Sequence, residues 1–295
     1  METIELQNDS EKVAGVRLEN EATGNKLENL VYKKERASTK ANTFSGDIEV
    51  HHDIGVMFIY QANLGILSKL TATVDSEVKD LYLETYGVYT ETIRTLYNTY
   101  NSNEGGLRLD FVLLNRGQYL SYTGSDAPDS CAEAFLYFII TPCDGNRDPI
   151  DNKHYKVFNL GHTFDLNQDF IDAGELKNRV DDYKQNPMFG LISGYCTPEA
   201  PTEYIYYKWE DIKKIIDETN SLGDSYEKVE FVLGEVIPYH AMSNFFRKNP
   251  TYGLDEIKYQ RAYSGQEKRL TVLGKYIPEE ILEKEGYFDM GSLYP

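Results

Sequence analysis

Apolar and polar positions alternate most clearly between Leu107 and Leu113. Leu107, Leu109, Phe111 and Leu113 are separated by Arg108, Asp110 and Val112, a period of two that predicts a half-buried β-strand. Asn115-Arg116-Gly117 reads as a turn into Gln118–Thr123, making a hairpin. After a loop at Gly124–Ser130, the near-continuous apolar run Ala134–Thr141 predicts another strand. Asp47–Val74 is rich in β-branched and aromatic residues and predicts two or three strands, with Gln61-Ala62-Asn63 as a connector. Asp75-Ser76-Glu77 then has the composition of a helix start. Val78, Leu81, Tyr82, Tyr86, Tyr89, Ile93, Leu96, Tyr97 and Tyr100 follow at intervals of three and four, and Asn103-Glu104-Gly105-Gly106 supplies a stop. This pattern predicts one long amphipathic helix, about 76–101.

The second half mixes shorter elements. Strands are expected at Tyr155–Leu160, Tyr204–Tyr207, Lys228–Ile237 and Arg269–Leu273. Helices are expected within Gln168–Gln185, over Trp209–Asn220, around His240–Lys248, and from Pro278 to Gly286. Regular strand–helix alternation is missing from the first half. The order of elements therefore predicts an α+β fold with mainly antiparallel sheets, one long helix and several short helices in the C-terminal half. Three regions are expected: a polar N-terminal arm over 1–45 with short strands near Val13–Leu18 and Leu27–Tyr32, a strand-rich region over 46–145, and a mixed region over 146–295. One continuous domain over 46–295 is the alternative.

Composition narrows the function classes. The 295 residues include 48 acidic and 30 basic side chains, a formal net charge of −18 that repels phosphate backbones and argues against direct nucleic-acid binding. The single concentrated basic run, Lys33–Lys40, falls in the N-terminal arm. No apolar stretch approaches the roughly 20 residues of a membrane-spanning helix, so no membrane insertion is expected. The first residues lack the basic start and apolar core of a secretory signal, which predicts cytoplasmic synthesis without a signal peptide and allows a virion destination. Three cysteines make an odd, sparse set, suited to buried thiols in a reducing compartment. Twenty-four tyrosines accompany one tryptophan. A phenol combines a large apolar ring with a water-tolerant hydroxyl and is favoured at protein interfaces.

Several short patterns touch on chemistry without completing a site. Cys131-Ala132-Glu133 with Pro142-Cys143 resembles the motif of zinc-dependent nucleoside and base deaminases, in which the Glu moves protons beside a metal-bound hydroxide. Position 146, where a third ligand belongs, is Asn, and the intervening stretch reads as one strand. Gln266–Ile281 resembles the last strand and turn of ADP-ribosyltransferases, but Lys268 or Arg269 stands where the family's Glu belongs, with Glu267 out of place. His51-His52-Asp53 and His154, His162, Asp165 supply imidazoles and carboxylates that would need tertiary contact to share a metal. Asp144–Asp151 has oxygen ligands around a glycine but lacks the order and closing Glu of a calcium loop. No dinucleotide, Walker-type or nucleophile-elbow pattern occurs.

The sequence therefore assigns no catalytic, cofactor-binding or metal-ligating residue and no cofactor. It predicts a non-enzymatic interaction protein, a subunit of a larger assembly such as a bacteriophage virion or tail component. Its expected partners are other protein subunits, met through tyrosine-rich surfaces in an oligomer or hetero-assembly. The alternatives are an enzyme with a dispersed site, ADP-ribosyltransferase-like or a metal-dependent hydrolase, and an acidic regulatory or immunity-type binding protein.

Overall fold

The structure, a computed structural model, describes residues 49–50, 52–101, 104–157, 163–197, 201–221, 228–276, 287–288 and 292–294. All of them belong to one compact unit, Ser45–Pro295. The expected strands of the N-terminal arm and the helix from Pro278 to Gly286 lie outside the described residues.

The fold is α+β with antiparallel sheets. In chain order the elements are β1 (Glu49–Val50), α1 (His52–Leu64), β2 (Thr71–Val74), β3 (Glu77–Asp80), β4 (Tyr86–Tyr89), α2 (Thr90–Tyr100), β5 (Gly105–Asn115), α3 (Arg116–Thr123) and β6 (Ala134–Asp144). They continue as β7 (His154–Tyr155), β8 (Phe170–Ile171), α4 (Ala173–Gln185), α5 (Pro187–Tyr195), β9 (Tyr204–Lys208), α6 (Trp209–Ser221), β10 (Lys228–Glu235), α7 (Tyr239–Lys248), α8 (Gly253–Tyr263), β11 (Leu270–Tyr276), β12 (Tyr287–Phe288) and β13 (Ser292–Tyr294).

Two sheets organise the molecule. A six-stranded sheet runs β13-β9-β5-β6-β7-β8, and a five-stranded sheet runs β1-β12-β11-β10-β4. The longest pairing joins β5 to β6, from Gly105 opposite Asp144 to Asn115 opposite Ala134. The sheets meet through aromatic rings: Phe138 of β6 packs edge-on against Phe231 of β10, and Tyr86 of β4 packs against both Tyr137 and Phe138. On the other side of β10, a Cβ at Gly234 would lie 3.3 Å from the Cβ of Phe58, so α1 crosses close to the strand. The core is correspondingly rich in rings, with Phe58, Phe111, Phe135, Phe138, Tyr137 and Tyr155 all inaccessible.

The helix expected at about 76–101 is confined to α2, and the residues before it are strands. Asp75 and Ser76 take left-handed conformations, φ 50° and 69°, and form the two-residue turn of the β2–β3 hairpin, with Val74 opposite Glu77. Short polar side chains tolerate that conformation, so a pair that composition presents as a helix start serves equally well as a hairpin turn. Tyr86 and Val88 are buried while Gly87 and Tyr89 are less so, the alternation of β4. The threes and fours of the sequence pattern thus ran across two strands and one short helix.

The strands expected at Asp47–Val74 are corrected in the same way. The middle of that stretch is α1, which buries Ile54, Met57, Phe58 and Ala62 along one face, while Glu49–Val50 and Thr71–Val74 are strands. An unbroken apolar run such as Ile54–Tyr60 reads the same for a buried strand and a buried helix. The expected hairpin arm Gln118–Thr123 is α3. Asn115 Oδ1 accepts from the Gln118 N–H while Gln118 Oε1 accepts from the Asn115 N–H, a reciprocal cap that starts a helix at that point. Helices α5 and α8 have no counterpart in the sequence reading, whereas β5, β6, β9, α6 and β10 fall close to where it puts them. Among the described residues no helix is long and apolar enough to cross a membrane.

Candidate functional site

The site begins with an acid in an apolar strand. Glu235 closes β10, and its side chain is fully buried. Leaving a carboxylate there without donors would be costly, and three donors reach it from distant parts of the chain. The Ile66 N–H, just beyond the end of α1, donates to Oε2 at 2.7 Å. The Tyr195 hydroxyl, at the last residue of α5, donates to Oε1 at 2.9 Å, and Gln61 Nε2 of α1 adds a longer contact to the same oxygen at 3.3 Å. Gly65 leaves the room for this: a Cβ there would stand 2.2 Å from Glu235 Oε2 and 2.3 Å from the Tyr195 hydroxyl.

Burial raises the Glu235 pKa, opposed by the bonds from Ile66, Tyr195 and Gln61 and by the charge of Lys268. The Tyr195 phenol is pushed up as well, by burial and then by the neighbouring Glu235 charge. Tyr195 thus turns its hydroxyl inward as a donor to Glu235. Its ring carries two cations: Lys69 Nζ lies 4.6 Å from the centroid and Lys268 Nζ 5.2 Å. Lys69 belongs to the 3-10 turn after α1, and Lys268, at φ 60°, lies in the turn leading to β11. Beside the ring is an open pocket of about 540 Å³ lined by Ser68, Lys69, Thr71, Leu191, Gly194 and Tyr195.

A second polar cluster lies on the six-stranded sheet. Asp110 of β5 accepts from Arg108 Nε at 2.9 Å through Oδ1, and from the Thr141 hydroxyl of β6 at 2.6 Å through Oδ2. Having donated its only proton to a carboxylate, Thr141 must accept from His154 Nδ1, 2.9 Å away. The imidazole of β7 is therefore held as the Nδ1–H tautomer with a lone pair on Nε2. Burial lowers the His154 pKa, partly offset by the Asp110 charge. Nε2 is buried and has no hydrogen-bond partner among the described residues. Next to it in the chain, Tyr155 shares a 2.5 Å contact with the Tyr100 hydroxyl, which donates to Asp151 at 2.9 Å.

The residues singled out by sequence motif do not converge. Cys131 precedes β6 and Cys143 stands near its far end, roughly 30 Å along the strand at about 3.3 Å per residue. Asp53 accepts from the Tyr252 hydroxyl, Asp165 from its own turn, and His154 from neither, while His51 and His162 lie outside the described residues. The Asp144 carboxylate closes its own loop, accepting the N–H groups of Asn146 and Asp148 at 2.9 and 3.0 Å. The Glu267 carboxylate accepts a long 3.4 Å contact from the Gly265 N–H, and Arg269 is buried at the entry to β11. Among the described residues no group of three or more His, Cys, Asp or Glu side chains is placed to hold a metal ion.

Among the described residues the tyrosines are buried or half-buried. Tyr86, Tyr100, Tyr119, Tyr137, Tyr155 and Tyr183 are core residues, and Tyr97 packs edge-on against Trp209. Glu235, Tyr195, Lys69 and Gln61 were missed in the sequence. The one available signal was Glu235 itself, a lone acid inside Phe231-Val-Leu-Gly-Glu-Val-Ile237. Comparison with protein-family models, with curated proteins and with solved structures finds no match for this chain.

Proposed function

We propose that the protein works by binding other proteins, as a non-enzymatic subunit of a larger assembly, with a bacteriophage virion or tail component as its most concrete form. The observation carrying this reading is that Glu235, Tyr195, Asp110 and Thr141 of the two clusters are engaged in internal hydrogen bonds. Glu235 is saturated by donors, Tyr195 is turned toward it, and Asp110 and Thr141 are committed to Arg108 and His154. Cys131, Cys143 and Cys196 are buried. Such networks position backbone and side chains. The open pocket beside Tyr195 offers ammonium, hydroxyl and apolar surface, which suits recognition.

Light scattering on the purified full chain tests the proposal. Growth of mass with concentration, or on mixing with a partner subunit, is the expected result. A particle that stays strictly monomeric at high concentration and with every candidate partner would remove the reading. The alternative, an enzyme with a dispersed site, draws on one observation, the unpartnered Nε2 of His154. It requires an opening that brings this nitrogen to solvent, which diethylpyrocarbonate would report by modifying His154 in the native protein. Complete protection of His154 would end that alternative.

A further inference from the structure

We propose that the pocket beside Tyr195 binds a carboxylate presented by an acidic segment of a partner protein, with an apolar residue of that segment resting on Leu191. The inference rests on the interaction-protein reading and names the chemistry of the partner.

The charges support it first. On the helix surfaces Lys177, Lys213 and Lys214 are each paired with an aspartate of their own helix. Lys69 and Lys268 have no carboxylate within 4.0 Å among the described residues, and both stand over the same tyrosine ring. In a chain of net charge −18, Lys69 sets an ammonium group on the pocket lining, and Lys268, about two hundred residues away in sequence, sets a second over the same ring. The Glu235 carboxylate behind the ring interacts with Lys268 and offsets part of that charge, which leaves Lys69, on the pocket lining, as the cation facing an incoming ligand.

Shape and rigidity point the same way. The Tyr195 hydroxyl is anchored inward to Glu235, so its ring is a fixed support for the two lysines. The pocket is open and about 540 Å³, room for one or two side chains of an extended segment rather than an enclosed metabolite. Leu191 on its wall is 59% exposed, an apolar contact that a bare inorganic anion would not use. Ser68 spends its proton on the Gly65 carbonyl at 2.6 Å, leaving Lys69 as the charged donor on the pocket lining.

The test is fluorescence anisotropy with the full-length protein and a labelled peptide of alternating Glu and Leu, beside a Lys–Leu peptide of the same length. The Glu–Leu peptide is expected to bind and the Lys–Leu peptide to fail. Binding should weaken by about tenfold or more in Lys69→Gln/Lys268→Gln, and fall as salt is raised from about 0.05 to 0.5 M. The single variant Lys69→Gln, expected to lose part of that affinity, serves if the double variant melts early, and Lys177→Gln is the control expected to change nothing. Failure of the Glu–Leu peptide to bind, or equal binding to wild type and Lys69→Gln, overturns the site. Inorganic phosphate that binds the lysine pair while the peptide does not also overturns it, because the ligand would then be a free anion. Self-association in light scattering without peptide binding sinks this site and leaves the assembly reading standing. Peptide binding by a strict monomer does the reverse.

Discussion

Glu235 is held by contacts that no stretch of neighbouring sequence contains. Its donors come from residues 61, 66 and 195, and the space it occupies exists because residue 65 has no side chain. Gly65→Ala should therefore act through crowding, forcing its methyl against a buried carboxylate and a phenol at once. A loss of about 1–3 kcal/mol is expected in urea unfolding, and an unchanged midpoint would contradict the geometry. At His154 the sign of a pH effect follows from burial. The unfolded chain accepts a proton near the ordinary value of 6.5, whereas the folded imidazole accepts it only at lower pH. Stability from this residue is complete above 6.5 and is lost as pH falls through the folded value. His154→Gln can keep a donor toward Thr141 while removing the titration. Its unfolding free energy should vary less with pH below 6.5 than that of the wild type, and parallel curves would refute the assignment.

At the scale of elements, legibility depended on whether a local pattern had one reading. The alternation Leu107–Leu113 is incompatible with a helical stripe, and β5 lies there. The face of Trp209, Ile212, Ile215 and Ile216 is helical by the same logic, and all four are buried in α6. Ile54–Tyr60 had two readings, and packing of α1 on β10 selected the helix. Asp75-Ser76 also had two, and pairing of Val74 with Glu77 selected the turn. At Asn115 the signal was present and local: Asn with Gln three positions later is a capping box, and it outweighs the turn suggested by Gly117. Asn115→Ala removes the bond to the Gln118 N–H and should cost about 1 kcal/mol in thermal or urea unfolding. An Asp172→Ala variant at the start of α4, where Oδ1 accepts from the Glu175 N–H, should behave alike. If neither variant moves the midpoint, the caps contribute nothing to stability.

Across the whole molecule, the abundance of phenols is explained from within. Large rings fill the space between two sheets and the helices against them, and hydroxyls at the core edge find carbonyls or carboxylates, as Tyr137 does at Val157 and Tyr122 at Glu175. Among the described residues the tyrosines are buried or half-buried, and the recognition proposal rests on the pocket beside Tyr195. The cysteines belong to the same interior. Cys131, Cys143 and Cys196 are 2, 0 and 4% exposed, and burial pushes the thiols of Cys143 and Cys196 up to about 12 and 11. Ellman's reagent should find almost no reactive thiol in the native protein at pH 8 and all three after denaturation. Prompt reaction of even one in the native state would show that the interior is open there.

What the amino-acid sequence determined by itself was the α+β class, the antiparallel character of the sheets, and those elements whose hydrophobic period admits a single face. Period and composition act over a few residues, and such information survives without a fold. The tertiary structure alone decided that Asp75-Ser76 turns a hairpin, that Tyr86, Tyr137, Tyr155 and Tyr183 go inward, and that Lys69, Glu235 and Lys268 each meet Tyr195. Each of those outcomes depends on which distant groups compete for the same buried space and the same hydrogen bonds, and that competition begins only when the chain has packed.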